Sequence, residues 1–138
     1  MYNLTTGLMT YFNATSGTPA VHNSFYLSIG GRLYKEVAPQ ATIYPYSVYH
    51  IISDIPEYTF TTDFENTRIQ FDLLSKSTST SEIENMFTYL KTLFDWKKFS
   101  ITSETVVYMK RELARLTSDA TVGIFVYNID YRIYVERS

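Results

Sequence analysis

The 138-residue sequence contains no cysteine and only two histidines, five glycines and four prolines. Without cysteine, the chain has no disulfide, no thiolate metal site and no cysteine nucleophile. No hydrophobic run approaches the roughly 20 residues that span a bilayer, so we expect no membrane partner. The first residues, MYNLTTGLMTYF, lack the basic and long apolar segments of a signal peptide. We expect a single domain over residues 1–138, with a core large enough to fold without metal.

Positive charge is also scarce. Twelve Lys and Arg residues face 14 Asp and Glu residues, which gives a net charge of −2 and a pI of about 5.6. A chain with this balance has no basic field to neutralise phosphates, which argues against a nucleic-acid-binding module. Aromatic residues are abundant instead, with 13 Tyr, 9 Phe and 1 Trp. Tyrosine suits half-buried surfaces and protein interfaces, although a sheet with tyrosines on its strands explains most of this surplus.

The strongest helical pattern lies at about residues 80–95. Two pairs with capping-box spacing, Ser79/Glu82 and Ser81/Glu84, precede an apolar stripe at helical spacing. Its members are Ile83, Met86, Phe87, Leu90 and Phe94. This pattern predicts an amphipathic helix roughly 21 Å long that packs on a core and crosses several strands.

Two further helices are predicted near the start of the chain. Residues 3–14 place four apolar or aromatic residues on one helical face, Leu4, Leu8, Tyr11 and Phe12. The segment TSGTP then interrupts the chain, and NSFYLSIGG predicts a short helix that begins at residue 23 or 24 and ends at the glycine pair. His22 would lie in the loop before it.

Alternating hydrophobicity predicts the strands. Residues 67–75 and 122–136 alternate clearly, RLYKEV is a short strand, residues 104–113 are strand-like in their first half, and YSVYHIIS after Pro45 is typical of a central strand. This order predicts an α+β domain with a mostly antiparallel sheet of about four to five strands and the helices on one face. The other face would be polar and either solvated or in contact with another subunit. It would carry Arg68, Gln70, Asp72, Asn128, Asp130 and Arg132.

The segment 54–66, DIPEYTFTTDFEN, is polar and acidic and long for a hairpin turn. We predict an extended arm or a flexible acidic loop. The spacing of Glu57, Asp63 and Glu65 matches neither a calcium loop nor a recognisable glycosidase pair, so a solvated acidic segment is the simplest interpretation. A surface that repels or guides a charged molecule is the alternative.

Catalytic motifs are absent from the sequence. His22 and His50 have no acidic or histidine partner at metal-ligand spacing, and the chain has neither a GxSxG elbow nor a phosphate-binding loop. We therefore expect no catalytic residue, no metal, no cofactor and no enzymatic activity.

The stretch GGRLYKEVAPQATIYPYSVYHIIS resembles the tail-completion proteins of long-tailed bacteriophages, also called tail terminator or tail-to-head joining proteins. Three pieces carry the resemblance, in the family's order and spacing. They are Gly30, Gly31, Arg32, Leu33 and Tyr34, then Ala38, Pro39 and Gln40, then Pro45, Tyr46, Val48 and Tyr49. Downstream, FDLLSKS, the helix STSEIENMFTYLKTLF and two final strands also follow the family's order. The resemblance covers about residues 4–136.

The resemblance implies a structural role for these signature residues, as scaffold for the fold. It also implies a structural virion protein that forms a ring, hexameric as in the family, on the head-proximal end of the tail tube. Its partners would be copies of itself, the tail tube protein and the head connector or stopper protein. DNA would pass through the ring without specific binding, and assembly would take place in the cytoplasm of the host bacterium.

Residues for the ring's surfaces follow from that implied role. An acidic lining formed by Glu57, Asp63 and Glu65 would let DNA slide through, and the polar sheet face with Arg68, Asp72, Asp130 and Arg132 would supply an interface. The alternatives are a head–tail connector adaptor or another minor tail protein, and then a small ligand-binding domain or enzyme. The sequence leaves both isomers of the Tyr44–Pro45 bond open.

Overall fold

The computed structural model describes residues 2–13, 20–59, 61–119 and 123–137. Within these residues, three helices and six strands follow one another. They are α1 (Tyr2–Asn13), α2 (Ala20–Ser28), β1 (Leu33–Lys35), β2 (Tyr46–Tyr58), β3 (Asp63–Ser75), α3 (Ser81–Phe94), β4 (Ser100–Ile101), β5 (Glu104–Asp119) and β6 (Ile124–Arg137). The predicted α+β class, with an N-terminal helix and one main helix at 80–95, is confirmed.

The strands form one sheet in the order β1-β2-β3-β6-β5-β4. Among the described strands, only the short β1–β2 pair is parallel, and the other neighbouring pairs are antiparallel. Five strands have three residues or more, and the two-residue β4 adds a sixth at one edge. Because β6 lies between β3 and β5, both of its edges are paired, and its clean alternation has a fully specified register.

All three helices contribute to a core on one face of the sheet. The odd-numbered residues at 67–75 of β3 and 129–135 of β6 are buried on that face. Among them, Phe71 and Tyr131 belong to the same core cluster as Leu8 of α1 and Phe25 of α2. The predicted stripe of α3 is buried at Ile83, Met86, Leu90 and Phe94, together with Leu93. In the part of the chain that the structure describes, no helix has the length and apolarity needed to cross a membrane.

The segment 54–66 is an extended arm rather than a loop. β2 continues to Tyr58 and pairs with β3 from Asp63 onwards, so the two strands form a hairpin with a short turn. The backbone N–H of Thr59 donates to the carbonyl of Thr62 at 2.9 Å and closes this turn. Acidic residues can lie on an exposed hairpin, because the hydrogen bonds between its two strands pair the backbone N–H and C=O groups. The polar composition of the segment therefore did not require a flexible loop.

Several boundaries differ from the predictions. β5 extends to Asp119, well beyond the predicted half-strand. The sequence pattern did not reveal its full length, because bulges between Val106 and Tyr108 and between Arg111 and Leu113 interrupt the alternation. β2 is central only where β1 covers it, at residues 47–49. The short helix α2 begins at Ala20, so the backbone of residue 22 is helical and not in a loop. The interrupting segment TSGTP lies outside the described residues.

The start of α3 also differs in detail. The predicted capping boxes are wrong, because Thr80 is the N-cap and makes no capping hydrogen bond with its side chain. Glu82 instead accepts a 2.6 Å hydrogen bond from the Ser75 hydroxyl, which ties the helix to the end of β3. Two acidic side chains in the first turn, Glu82 and Glu84, still favour this helix terminus electrostatically.

Candidate interaction surface

The face of the sheet opposite the helices is the candidate functional surface, and we call it the outer face. It carries the even-numbered residues of β3 and β6, and the structure leaves these side chains partly exposed. The predicted polar residues all lie on it: Arg68, Gln70, Asp72, Asn128, Asp130 and Arg132. Strand alternation therefore brings together residues that are about 60 positions apart in sequence.

One ionic cluster lies at the middle of the outer face. Arg68 of β3 opposes Arg132 of β6, and Glu112 of β5 bridges the two guanidinium groups. One Glu112 carboxylate oxygen accepts a hydrogen bond from Arg132 at 2.9 Å and another from Arg68 at 3.1 Å. The bond from Arg132 is the main cause that lowers the pKa of Glu112. Burial raises the pKa of nearby Asp130. The cluster is thus ionised and fixed in geometry.

A second polar network centres on Asp72. One of its carboxylate oxygens accepts hydrogen bonds from Gln70 at 2.7 Å and from Asn128 at 2.6 Å. The other lies 2.9 Å from Nε2 of His50, whose Nδ1 lies 3.2 Å from Glu36. The hydrogen bond with His50 is the largest cause that lowers the pKa of Glu36. This network joins three strands to the segment that follows β1.

A groove of about 480 Å³ adjoins this network. It lies between the segment 36–46 and the outer face, and its walls include Pro39, Tyr44, Tyr46 and Val48. Its floor reaches His50 and Asp72. The groove therefore combines an apolar, tyrosine-rich rim with the charged network at one end.

Several signature residues of the predicted family lie at the two ends of the segment 36–46 that forms one wall of the groove. Gly30 and Gly31 adopt φ of 58° and 74°, which glycine tolerates best. The Arg32 guanidinium donates two hydrogen bonds, of 3.1 and 2.9 Å, to the carbonyl of Pro45. The Tyr44–Pro45 peptide bond is cis.

The remaining signature residues divide between core and surface. Tyr34 and Tyr46 pack edge-on with ring centroids 6.4 Å apart, and Tyr49 is buried in the core. Ala38, Pro39 and Gln40 lie at the surface beside the groove. The hydrogen bonds from Arg32 to Pro45 connect the first and third signature pieces directly.

A row of aromatic rings crosses the outer face near the hairpin arm. Phe64 of β3 stacks on Tyr134 of β6 with centroids 5.0 Å apart, and Tyr134 stacks on Tyr108 of β5 at 5.4 Å. Trp96 extends the row beyond β5, with its ring 6.3 Å from Tyr108 and 65% of its surface exposed. Partly exposed aromatic rings on a rigid sheet are well suited to protein contacts.

The three acidic residues of the arm do not form one patch. Glu57 lies on the outer face and accepts a 2.9 Å hydrogen bond from Asn66. Glu65 lies on the opposite side of the hairpin, where it pairs with Arg137 at 2.8 Å and where burial raises its pKa. Asp63 is exposed next to the turn.

Sequence reasoning missed Glu36, Glu112 and the role of His50. His50 has two carboxylate neighbours, but they lie 14 and 22 positions away, so no local spacing signals them. Glu112 lies at a bulge of β5, where strict alternation does not predict which face of the sheet a side chain occupies. Across the described part of the chain, no group of three or more His, Asp or Glu side chains is arranged to hold a metal ion.

Comparison with known proteins shows likeness in fold without likeness in sequence. No protein-family model and no curated protein matches the chain. One solved structure, a chain from the "virion of native gene transfer agent (GTA) particle", superposes with a TM-score of 0.73. The match is 9% identical in sequence and covers 99% of both chains. A second solved chain, whose name states no function, gives a TM-score of 0.62 at 8% identity and covers 99% of this chain and 94% of that one. The fold is shared from end to end.

Proposed function

We propose that this chain is a structural virion protein that completes a phage tail. In this role, it caps the head-proximal end of the tail tube, stops tube polymerisation and presents a joining surface to the head connector. The observation that carries the proposal is the end-to-end fold likeness to a chain of a gene transfer agent virion. The resemblance of the Gly30–Tyr49 signature to tail-completion proteins narrows the virion role to this position.

The surface chemistry supports a structural rather than catalytic role. The outer face carries the hydrogen-bonded Arg68–Glu112–Arg132 cluster and the network around Asp72, and the aromatic row lies beside them. A face with fixed charges and exposed rings provides specificity for protein partners through complementary charge and ring packing. Such a face suits a subunit that contacts the tube on one side and the connector on the other.

A ring around DNA adds one further requirement. The DNA must pass without binding, and carboxylates at the lumen would repel its phosphates. Glu57, Asp63 and Glu65 lie on the hairpin arm, and Glu57 and Asp63 carry no ion pair among the described residues. We propose that the arm lines the lumen of the ring.

The decisive experiment uses tail tubes assembled without this protein. Purified protein is incubated with the tubes, and their ends are examined by electron microscopy. We expect added density at one end only, and tubes that no longer elongate when tail tube protein is supplied. Tubes from complete phage, whose ends are already capped, are the matched control and should gain no density.

Two other outcomes would refute the proposal. Binding along the sides of the tubes, or none at all, would exclude tail completion. Binding to purified head connectors without any binding to tube ends would support the head–tail adaptor instead. A three-dimensional reconstruction of capped ends also tests the lumen assignment, which is wrong if the arm lies on the outer wall.

A further inference from the structure

The sheet leaves two strand edges open among the described residues. On one side of the sheet, β1 pairs with β2 only at residues 47–49. The edge of β2 that faces away from β3 is therefore unpaired from Ile52 to Tyr58. On the other side of the sheet, β4 pairs with β5 only at residues 104–105. The edge of β5 that faces away from β6 has no partner strand from Lys110 to Ser118. Each edge presents unpaired backbone N–H and C=O groups, which can pair with another strand. A single domain thus carries two templates for strand addition.

Half of the large hydrophobic residues that are exposed in the described part of the chain lie on the same two edges. Five large hydrophobic residues on strands are exposed in the described part of the chain. Three belong to the open β2 segment, Ile52, Ile55 and Tyr58, and two to the open β5 segment, Leu113 and Leu116. Their exposed fractions run from 36% to 72%. This distribution indicates that the edges contribute to an interface as well as to the monomer surface.

The charges on the two edges are opposite. Asp54 and Glu57 on β2 accept hydrogen bonds only from neutral side chains, and within the described residues neither has an ion pair. Lys110 and Arg115 on β5 likewise have no ion pair in that part of the chain. Charge on an edge normally keeps strands apart. Here the charges disfavour pairing of two β2 edges or of two β5 edges, because like charges would meet. They favour pairing of a β2 edge with a β5 edge, because opposite charges would meet.

The strand directions fit the same pairing. Three successive antiparallel pairs separate β2 from β5, so the two edge strands run in opposite directions. A second copy placed beside the first by rotation about an axis along the strands would therefore pair its β5 antiparallel to β2. The contact joins two different surfaces of each copy, so it repeats from copy to copy and closes into a ring when the rotation allows.

We infer that copies of this chain associate head to tail, with the β2 edge of one copy paired antiparallel to the β5 edge of the next. In the proposed pairing, Ile55 of one copy lies opposite Leu113 of the next, since both side chains are on the outer face. Because the bulge at Glu112 leaves Lys110 two pairing positions from Leu113, Glu57 then lies opposite Lys110. Pro56 has no backbone N–H to donate, so the ladder between the two copies loses at most one hydrogen bond at that position.

The absence of cysteine makes the pairing directly testable. The double variant Ile55→Cys/Leu113→Cys is oxidised in solution, and products are separated on non-reducing gels. An intrachain bond is excluded because three strand spacings, about 14 Å, separate the two positions, whereas a disulfide needs Cα atoms within roughly 7 Å. We expect a ladder of covalent oligomers, with the 55–113 link identified by mass spectrometry. Single variants should stop at dimers.

The matched control is Leu27→Cys/Leu113→Cys, because Leu27 on α2 is more exposed than Ile55, at 70% against 56%, but lies on no strand edge. We expect roughly tenfold more 55–113 than 27–113 link, because pairing raises the local thiol concentration. Equal yields would overturn the inference. Added to the cysteine pair, Glu57→Lys should lower the yield and Lys110→Glu in the same background should restore it. A yield insensitive to both changes would also overturn it.

This inference deepens the ring in the proposed function, and its test is separable from the test of that function. The cross-linking uses protein alone, without tail tubes. A ladder without tube capping would refute the tail role and leave edge pairing intact. Capping by a variant that never forms the 55–113 link would refute edge pairing and leave the tail role intact.

Discussion

Replacement of Phe94 by alanine should destabilise the fold more than any surface change, because this side chain joins four elements. Its ring contacts Tyr11 of α1, Phe25 of α2, Phe71 of β3 and Tyr131 of β6, with centroid distances from 5.0 to 6.5 Å. It has no exposed surface. Truncation of a buried Phe costs about 3–5 kcal/mol, and four aromatic contacts place the expected loss at about 4 kcal/mol.

Urea denaturation followed by far-UV circular dichroism measures this loss. With a urea dependence of about 2 kcal/mol per molar, the midpoint should fall by about 2 M. Phe94→Leu, which keeps much of the volume, should cost about 1 kcal/mol and gives a measurable point if the alanine variant does not fold. The control is Leu27→Ala, at a residue that is 70% exposed. If Phe94→Ala shifts the midpoint no more than this control, Phe94 does not hold the four elements together.

The remaining predictions concern two carboxyl groups on the outer face, whose pKa values shift in opposite directions. Because folding lowers the pKa of Glu112, its ion pairs stabilise the fold above the ordinary Glu value of 4.5 and lose this effect as the pH falls through the folded value. Glu112→Gln should therefore cost about 1 kcal/mol at pH 7 and nothing in strong acid, and an equal cost at both pH values would contradict the ion-pair account. Because folding raises the pKa of Asp130, its charge destabilises the fold above that raised value, and the penalty disappears below the ordinary Asp value of 3.8. Asp130→Asn should thus raise the urea midpoint at pH 7 and leave it unchanged in acid; a lower midpoint at pH 7 would show that the ionised carboxylate is stabilising.

Local patterns predicted most of the fold because periodicity is a property of neighbouring residues. The stripe from Ile83 to Phe94 predicts α3 within one residue at each end, and alternation predicts the buried face of β3 and β6. The pattern failed at β5, because each bulge shifts the alternation by one residue. It also failed to choose between loop and arm at 54–66, where the apolar residues of the hairpin do not alternate regularly with polar ones.

The candidate surface was predictable only in part. Alternation places Arg68, Asp72 and Arg132 on one polar face. It cannot show that Glu112 bridges the two arginines, or that His50 lies between Glu36 and Asp72. Those contacts depend on which strands are neighbours, and strand order is set by interactions between distant parts of the chain.

The sequence by itself determined that a sheet with one polar face would be covered on the other by helices, since hydrophobic spacing alone dictates which sides are buried. It also excluded any chemistry that needs a thiol. Only the tertiary structure decided that β6 inserts between β3 and β5, and that decision creates both the charged cluster and the two open edges. The physical reason is that backbone pairing is nearly independent of side-chain identity, so the choice of partner strand follows from how the whole core packs.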